Sequence, residues 1–115
     1  MRVIVCGGRD YHNDVRVREI LDAGIDGQQI TALAEGGASG ADEHAEEWAI
    51  VRKVPVRTYP AQWAKYGGAA GPMRNAEMLA DFKPDAVIAF PGGKGTADMM
   101  RKAKAAGVRV IEVTP

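Results

Sequence analysis

The sequence predicts a three-layer α/β domain: a doubly wound, mainly parallel five-stranded sheet with helices on both faces. Three observations predict it. Short apolar bursts alternate with stretches of helical spacing, in the order β-α-β-α-β-loop-α-β-α-β. Three of those bursts run directly into glycine-rich turns that lead into helices. The 115 residues give one core and are too few for two, so residues 1–115 read as a single domain.

Arg2 to Cys6 is an apolar burst ending in Gly7-Gly8-Arg9-Asp10, the pattern of a buried parallel strand entering a turn. Asn13 or Asp14 can cap the next helix, whose Val17, Ile20, Leu21 and Gly24 repeat on one face, and Gly24 and Gly27 close it. Ile30 to Glu35 is a second strand, weakened by alanine, and it meets Gly36-Gly37-Ala38-Ser39-Gly40-Ala41-Asp42. The helix after it presents Ala41, Ala45, Trp48, Ala49 and Arg52 on one face, with Trp48 in the core. Val54 to Tyr59 is a third strand, placed at an edge by Pro55.

From Pro60 to Pro72 periodicity is lost, which predicts a flexible loop in which Trp63 and Tyr66 either stack on a ligand or anchor the chain. Pro72 then starts a helix with Met73, Ala76, Leu79 and Ala80 inward and with Arg74 and Asn75 in its first turn. A cation there opposes the helix dipole, which marks Arg74 as an anion ligand. Asp85 to Phe90 is the fourth strand, followed by Pro91-Gly92-Gly93-Lys94-Gly95-Thr96 and a helix from Thr96 to Ala106 with Met99, Met100, Ala103 and Ala106 inward. Gly107 ends that helix, and Val108 to Val113 is the last strand.

Fifteen basic and fifteen acidic side chains cancel, which disfavours nucleic-acid and anionic-membrane partners. The lone Cys6 has no disulfide partner and reads as a small buried thiol in a reducing compartment. No run approaches the roughly 18 apolar residues of a membrane span, and the first strand is too short for a signal peptide, so a cytoplasmic protein is expected. His12 and His44 stand alone without ligand spacing; neither a metal nor a resident cofactor is expected.

The three glycine turns follow strands and precede helices, so all belong to the carboxyl edge of the sheet, the ligand side of such folds. With the first strand central, they and Arg74 surround one crevice suited to a phosphate-bearing ligand. The candidate ligand-binding residues are Gly7, Gly8, Arg9 and Asp10 in the first turn, then Gly37, Ala38, Ser39, Gly40 and Asp42 in the second. Arg74 and Asn75 come from the helix, and Pro91, Gly92, Gly93, Lys94, Gly95 and Thr96 from the last turn. Thr96 either caps its helix or donates to phosphate, and Ser39 reads as a donor, not a nucleophile. Neither the spacing of a dinucleotide fingerprint nor that of a P-loop is present.

Gly36-Gly37-Ala38-Ser39-Gly40-Ala41-Asp42, Gly71-Pro72-Met73-Arg74-Asn75 and Phe90-Pro91-Gly92-Gly93-Lys94-Gly95-Thr96, after Gly7-Gly8-Arg9-Asp10-Tyr11, closely resemble the small YspA/YpsA-related branch of the SLOG superfamily. That superfamily also holds the Lonely Guy (LOG) phosphoribohydrolases and the DNA-processing protein DprA. The resemblance implies a Rossmann-like domain holding a nucleotide or nucleotide-derived ligand, such as a nucleoside monophosphate or ADP-ribose, and pairing as a homodimer. The LOG pattern PGGxGTxxE places its glycines and threonine on Gly92, Gly93, Gly95 and Thr96, whereas its catalytic glutamate falls on Met99. Its arginine corresponds to Arg74. A LOG-like reaction would therefore rest on Arg74 and on Asp98, one residue early. If an N-glycosidic bond is cleaved, the carboxylates in reach of the edge are Asp10, Glu35, Asp42 and Asp98. Three readings stand: a nucleotide phosphoribohydrolase, a non-catalytic nucleotide sensor or sequestering module, and a DprA-like binder of single-stranded nucleic acid.

Overall fold

The computed structural model describes residues 1–115. Strand β1 (Arg2–Cys6) is central, pairing in parallel with β2 (Ala32–Glu35) on one side and β4 (Ala86–Ala89) on the other. The edges are β3 (Val56–Thr58) and β5 (Arg109–Glu112), giving an all-parallel order β3-β2-β1-β4-β5. The chain winds outward from β1 to β3, then returns to β4 and winds the other way. The strand order therefore reverses between β1 and β4, which opens a crevice at their carboxyl ends.

Alternation along each strand sends side chains to two cores. Val3, Val5, Leu33, Ala86 and Ile88 pack with Val17 and Leu21 of α1 (Asp14–Ala23) and with Ala45, Trp48 and Ala49 of α2 (Ala41–Arg52). Ile4, Ala34 and Val87 pack on the other face with Met78 and Phe82 of α4 (Ala70–Phe82) and with Met99 and Ala103 of α5 (Lys94–Ala105). This is the three-layer, doubly wound architecture expected. Asn13 caps α1 by accepting from the Arg16 N–H, and the buried Trp48 indole donates to Asp22 at 2.8 Å.

Several local expectations need correction. The segment Pro60–Pro72 is not a loop throughout: Trp63–Tyr66 form a short helix α3, Gly67–Ala69 a 3₁₀ turn, and α4 begins at Ala70. Pro72 sits inside the first turn, where its missing N–H costs nothing. Arg74 consequently lies beyond that turn, and the dipole argument for it lapses.

The face of α4 also differs. Met73, Ala76 and Ala80 are not the buried positions and Leu79 is half-buried, while Gly71, Asn75, Met78 and Phe82 face inward. The buried stripe includes a polar residue, Asn75, which a count of apolar positions passes over. Helix α5 starts at Lys94 with Gly93 as its N-cap, so Thr96 is not the cap. On the same helix Met100 is half-buried, and Ala106 is exposed because the helix has already ended.

Candidate functional site

The turns after β1, β2 and β4 meet around a cleft of about 1130 Å³ at the carboxyl edge of the sheet. Their backbones interlock: Gly8 N–H donates to Pro91 O at 2.9 Å, and Ala41 N–H donates to Gly8 O at 3.2 Å. A Cβ on Gly92 would overlap Thr96 Oγ1 and lie 2.7 Å from Gly8 N, so this glycine is required by packing between turns. Gly93 and Gly95 differ, since a Cβ on either would meet nothing within 4 Å.

On the β4 side the cleft is electropositive. The backbone N–H groups of Gly92, Gly93, Lys94, Gly95 and Thr96 find no acceptor in the protein, and the first bond into α5 is Ala97 N–H to Gly93 O at 3.0 Å. Consecutive unpaired donors at the start of a 12-residue helix add to its positive dipole end, the arrangement that receives an anion. Lys94 is exposed beside them and Thr96 is buried.

The β2 side is electronegative. Gly36 and Ala38 N–H both donate to Asp42 Oδ2 at 3.2 Å, and Gly37 N–H donates to Glu35 Oε1 at 2.6 Å. The second glycine turn therefore spends these donors on the protein's own carboxylates. Glu35 is fully buried, with Thr58 Oγ1 donating to its Oε2 at 2.6 Å. Burial raises the Glu35 carboxyl to about 6 against the opposing pull of Thr58 and Gly37, and the nearby Asp42 charge adds to the rise. Burial likewise raises Asp42 to about 6, offset in part by the Ala38 N–H, the Arg74 charge and the Gly36 N–H. Asp42 lines the cleft, and its Oδ1 has no protein partner.

Arg74 lies next to Asp42 across Gly36. Its Nη1 donates to Gly36 O at 2.8 Å and to Tyr59 O at 3.2 Å, and its Nε to Asn75 Oδ1 at 3.0 Å. Nη2 remains unused by the protein, on a side chain that lines the cleft. A Cβ at Gly36 would overlap Nη1 and lie 3.0 Å from Asp42 Oδ2, so only glycine lets this cation approach the acidic turn.

Asp98 also reaches the cleft lining, but its oxygens are held on all sides. Lys102 donates at 2.6 and 2.7 Å, Arg101 at 2.6 Å and the Asn75 amide at 3.0 Å. Burial works to raise its pKa, yet the bonds from Lys102 and Asn75 prevail and hold it below the usual carboxylate range. Met99 is sealed in the core. Asn75 joins the two halves of this region, donating also to Gly95 O at 3.1 Å.

Arg9 leans across the mouth with its guanidinium 5.3 Å from the Trp63 ring centre, and Trp63 is 48% exposed. Asp10 is exposed and makes no ion pair with Arg9, and the Ser39 hydroxyl donates to Arg9 O at 3.2 Å. Cys6 is half-buried on the cleft floor; burial, with some help from Asp42, pushes its thiol up to about 12, which keeps it unreactive. The histidines do not stand apart: His12 Nδ1 and His44 Nε2 are 3.5 Å apart with edge-on rings. No cluster of three or more metal-ligating side chains forms. Tyr11, packed near Phe90 with ring centres 5.4 Å apart, completes one wall. Tyr11 ends the first glycine-turn motif, but it was not among the expected ligand-binding residues, because its place on the wall comes from its contact with the remote Phe90.

A model of the YspA, cpYpsA-related SLOG family (YAcAr) matches residues 1–66, more than half of the chain. The chain belongs to this SLOG family. The domain is also 33% identical to the Gene 61 protein of Mycobacterium phage D29, over 96% of this chain and 94% of that protein. Among solved structures it resembles the UDP-GlcNAc 2-epimerase from Neisseria meningitidis bound to UDP-GlcNAc, with a TM-score of 0.56 and 18% identity over 98% of this chain. This SLOG chain covers 32% of that enzyme's chain, and the likeness establishes the Rossmann-like fold. No helix of the domain is long and apolar enough to cross a membrane.

Proposed function

We propose that this SLOG domain binds a nucleotide or nucleotide-derived ligand in the cleft, with a phosphate on the start of α5. The observation that carries the reading is the run of unpaired N–H groups from Gly92 to Thr96, facing no internal acceptor at a helix N-terminus. The opposite wall suits a ribose: Asp42 Oδ1 accepts from hydroxyls and Arg74 Nη2 donates. Trp63, half-exposed at the mouth, offers a face to the base. Hydrolysis of the N-glycosidic bond is the enzymatic form of this reading. The sensor form is favoured by Met99, which occupies the position of the LOG catalytic glutamate. A DprA-like role has less support, since the formal net charge is zero. The homodimer belongs to the same proposal, and a monomer mass in light scattering at working concentration would remove it.

Thermal melts with AMP, ADP, ADP-ribose, NAD, adenosine and a short single-stranded oligonucleotide test this reading. A phosphate-bearing ligand at 100 times its dissociation constant should stabilise the fold by about 2.7 kcal/mol, and adenosine should do far less. Gly95→Asp should abolish the shift while leaving the melt without ligand intact. The new carboxylate has open space and favours the helix start, yet repels phosphate. An equal shift from adenosine, or an undiminished shift in Gly95→Asp, would move the ligand elsewhere. A shift from the oligonucleotide alone would promote the nucleic-acid reading.

A further inference from the structure

His12 and His44, 32 residues apart in the sequence, come together outside the cleft. His12 is exposed between the first glycine turn and α1, and His44 is half-buried in the first turn of α2. Their ring planes stand at 88°, so the rings meet through their edges, with His12 Nδ1 and His44 Nε2 3.5 Å apart. An N–H donor ordinarily approaches its acceptor to about 2.7–3.2 Å, so a hydrogen bond between the two rings is a long one. Two imidazole nitrogens on one tetrahedral ion, each about 2.0–2.1 Å from it, lie about 3.4 Å from each other. The observed spacing is closer to that of two ligands sharing an ion.

The opposite nitrogen of His44 is unsatisfied. Nδ1 is buried and has no hydrogen-bond partner, and Glu47 Oε2, one turn further along α2, is 3.6 Å from it. That distance is too long for a hydrogen bond as it stands. A proton on Nδ1, directed at this carboxylate, leaves the lone pair on Nε2, the nitrogen beside His12. Metal-bound imidazoles carry their second N–H on a carboxylate in this way. An ion at Nε2 would fix that tautomer and draw Glu47 onto the orphaned nitrogen.

We propose that His12 Nδ1 and His44 Nε2 form a site for a divalent transition-metal ion of the zinc or nickel class, with Glu47 orienting His44 from behind. No third metal-ligating side chain joins the pair, so the remaining positions fall to water and the ion is exchangeable. Imidazole suits these ions, whereas magnesium and calcium take oxygen ligands. The start of a helix disfavours a cation, but the acidic Glu43 in the first turn of α2 and the nearby Glu47 offset it. The bound ion clips the segment after the first glycine turn to α2. Neither histidine lines the cleft, so the site stands apart from nucleotide binding.

The test titrates the whole chain, without a polyhistidine tag, with Zn²⁺ and Ni²⁺ by calorimetry, and with Mg²⁺ as control. Expected are a single ion per chain, no heat from Mg²⁺, and a melting temperature that rises with Zn²⁺ concentration. His12→Gln changes an exposed residue, so the melt without metal should be unaltered while zinc affinity falls about tenfold or more. His44→Gln should weaken zinc at least as much. Because His44 is half-buried, nitrogen NMR of the wild-type rings provides a reading that needs no variant: zinc should shift His12 Nδ1 and His44 Nε2 and leave the proton on His44 Nδ1. Glu47→Gln should lower affinity by about tenfold and weaken the preference for that proton position, with an unaltered melt. No zinc binding by the wild type, equal binding of Mg²⁺, unchanged affinity in His12→Gln, or ring nitrogens unmoved by saturating zinc would each overturn the site. Unchanged affinity in Glu47→Gln would overturn the part given to Glu47.

Discussion

Gly40→Ala is expected to lower the stability of the domain by about 4 kcal/mol, adding a residue forced into a glycine-only backbone region to an overpacked contact. Gly40 has φ 77° and ψ −127° as the N-cap of α2. A Cβ there would overlap Gly8 O and lie 2.5 Å from Arg9 O. Relaxation is blocked because Gly8 is tied on both sides, through its N–H to Pro91 O and through its carbonyl to Ala41 N–H. Gly95→Ala is the matched control. It lies in the first turn of α5 with nothing near a new Cβ, and its stability should stay within about 0.5 kcal/mol of the wild type. Urea unfolding of the two variants beside the wild type measures both. Equal stabilities would show that the turns tolerate separation and that the cleft is not built on their contact.

The second large effect is a dependence of stability on pH set by two buried acids. Glu35 and Asp42 both titrate near 6 in the fold, above ordinary values of 4.5 and 3.8. Between those limits the native state binds more protons than the unfolded chain, so stability falls as pH rises. Their favourable contribution is full below the unfolded values and gone above about 6. The loss amounts to about 2 kcal/mol for Glu35 and about 3 kcal/mol for Asp42. Asp22, Asp81 and Asp98 are held low by their partners and act in the opposite direction, but at more acidic pH.

Glu35→Gln isolates one acid. Its amide oxygen can accept from Gly37 N–H and its NH₂ can donate to Thr58 Oγ1, so the local network survives without the charge. Relative to wild type, the variant should be more stable by about 1–2 kcal/mol at pH 7.5, with the advantage shrinking toward pH 4.5. Denaturant melts across that range would read it. A wild-type profile parallel to that of the variant would mean that Glu35 is not the group responsible.

The layers of the domain and the edge that carries its glycine turns were legible in the amino-acid order, whereas the central place of β1 was a condition that only the pairing with β2 and β4 met. The layers and that edge rest on local signals: apolar runs that mark strands, and glycine turns whose place between strand and helix sets their side of the sheet. The same signals brought Gly92 to Thr96 to the start of a helix. Helix phase was less legible where polar residues are buried, as Asn75 shows on α4, because its partners Gly95 and Asp98 come from α5.

Which groups are free to act became visible only in the packed molecule. Asp42 and Asp98 look equivalent as acidic residues near helix starts, yet Asp98 is enclosed by Asn75, Arg101 and Lys102 while Asp42 keeps one oxygen open. Two glycine turns that look alike also diverge, one giving its N–H groups to Glu35 and Asp42 and the other leaving them unpaired. Hydrogen-bond saturation depends on groups far apart in the chain, such as Thr58 on Glu35 and Arg74 on Gly36, and these meet only when the sheet and its helices have packed.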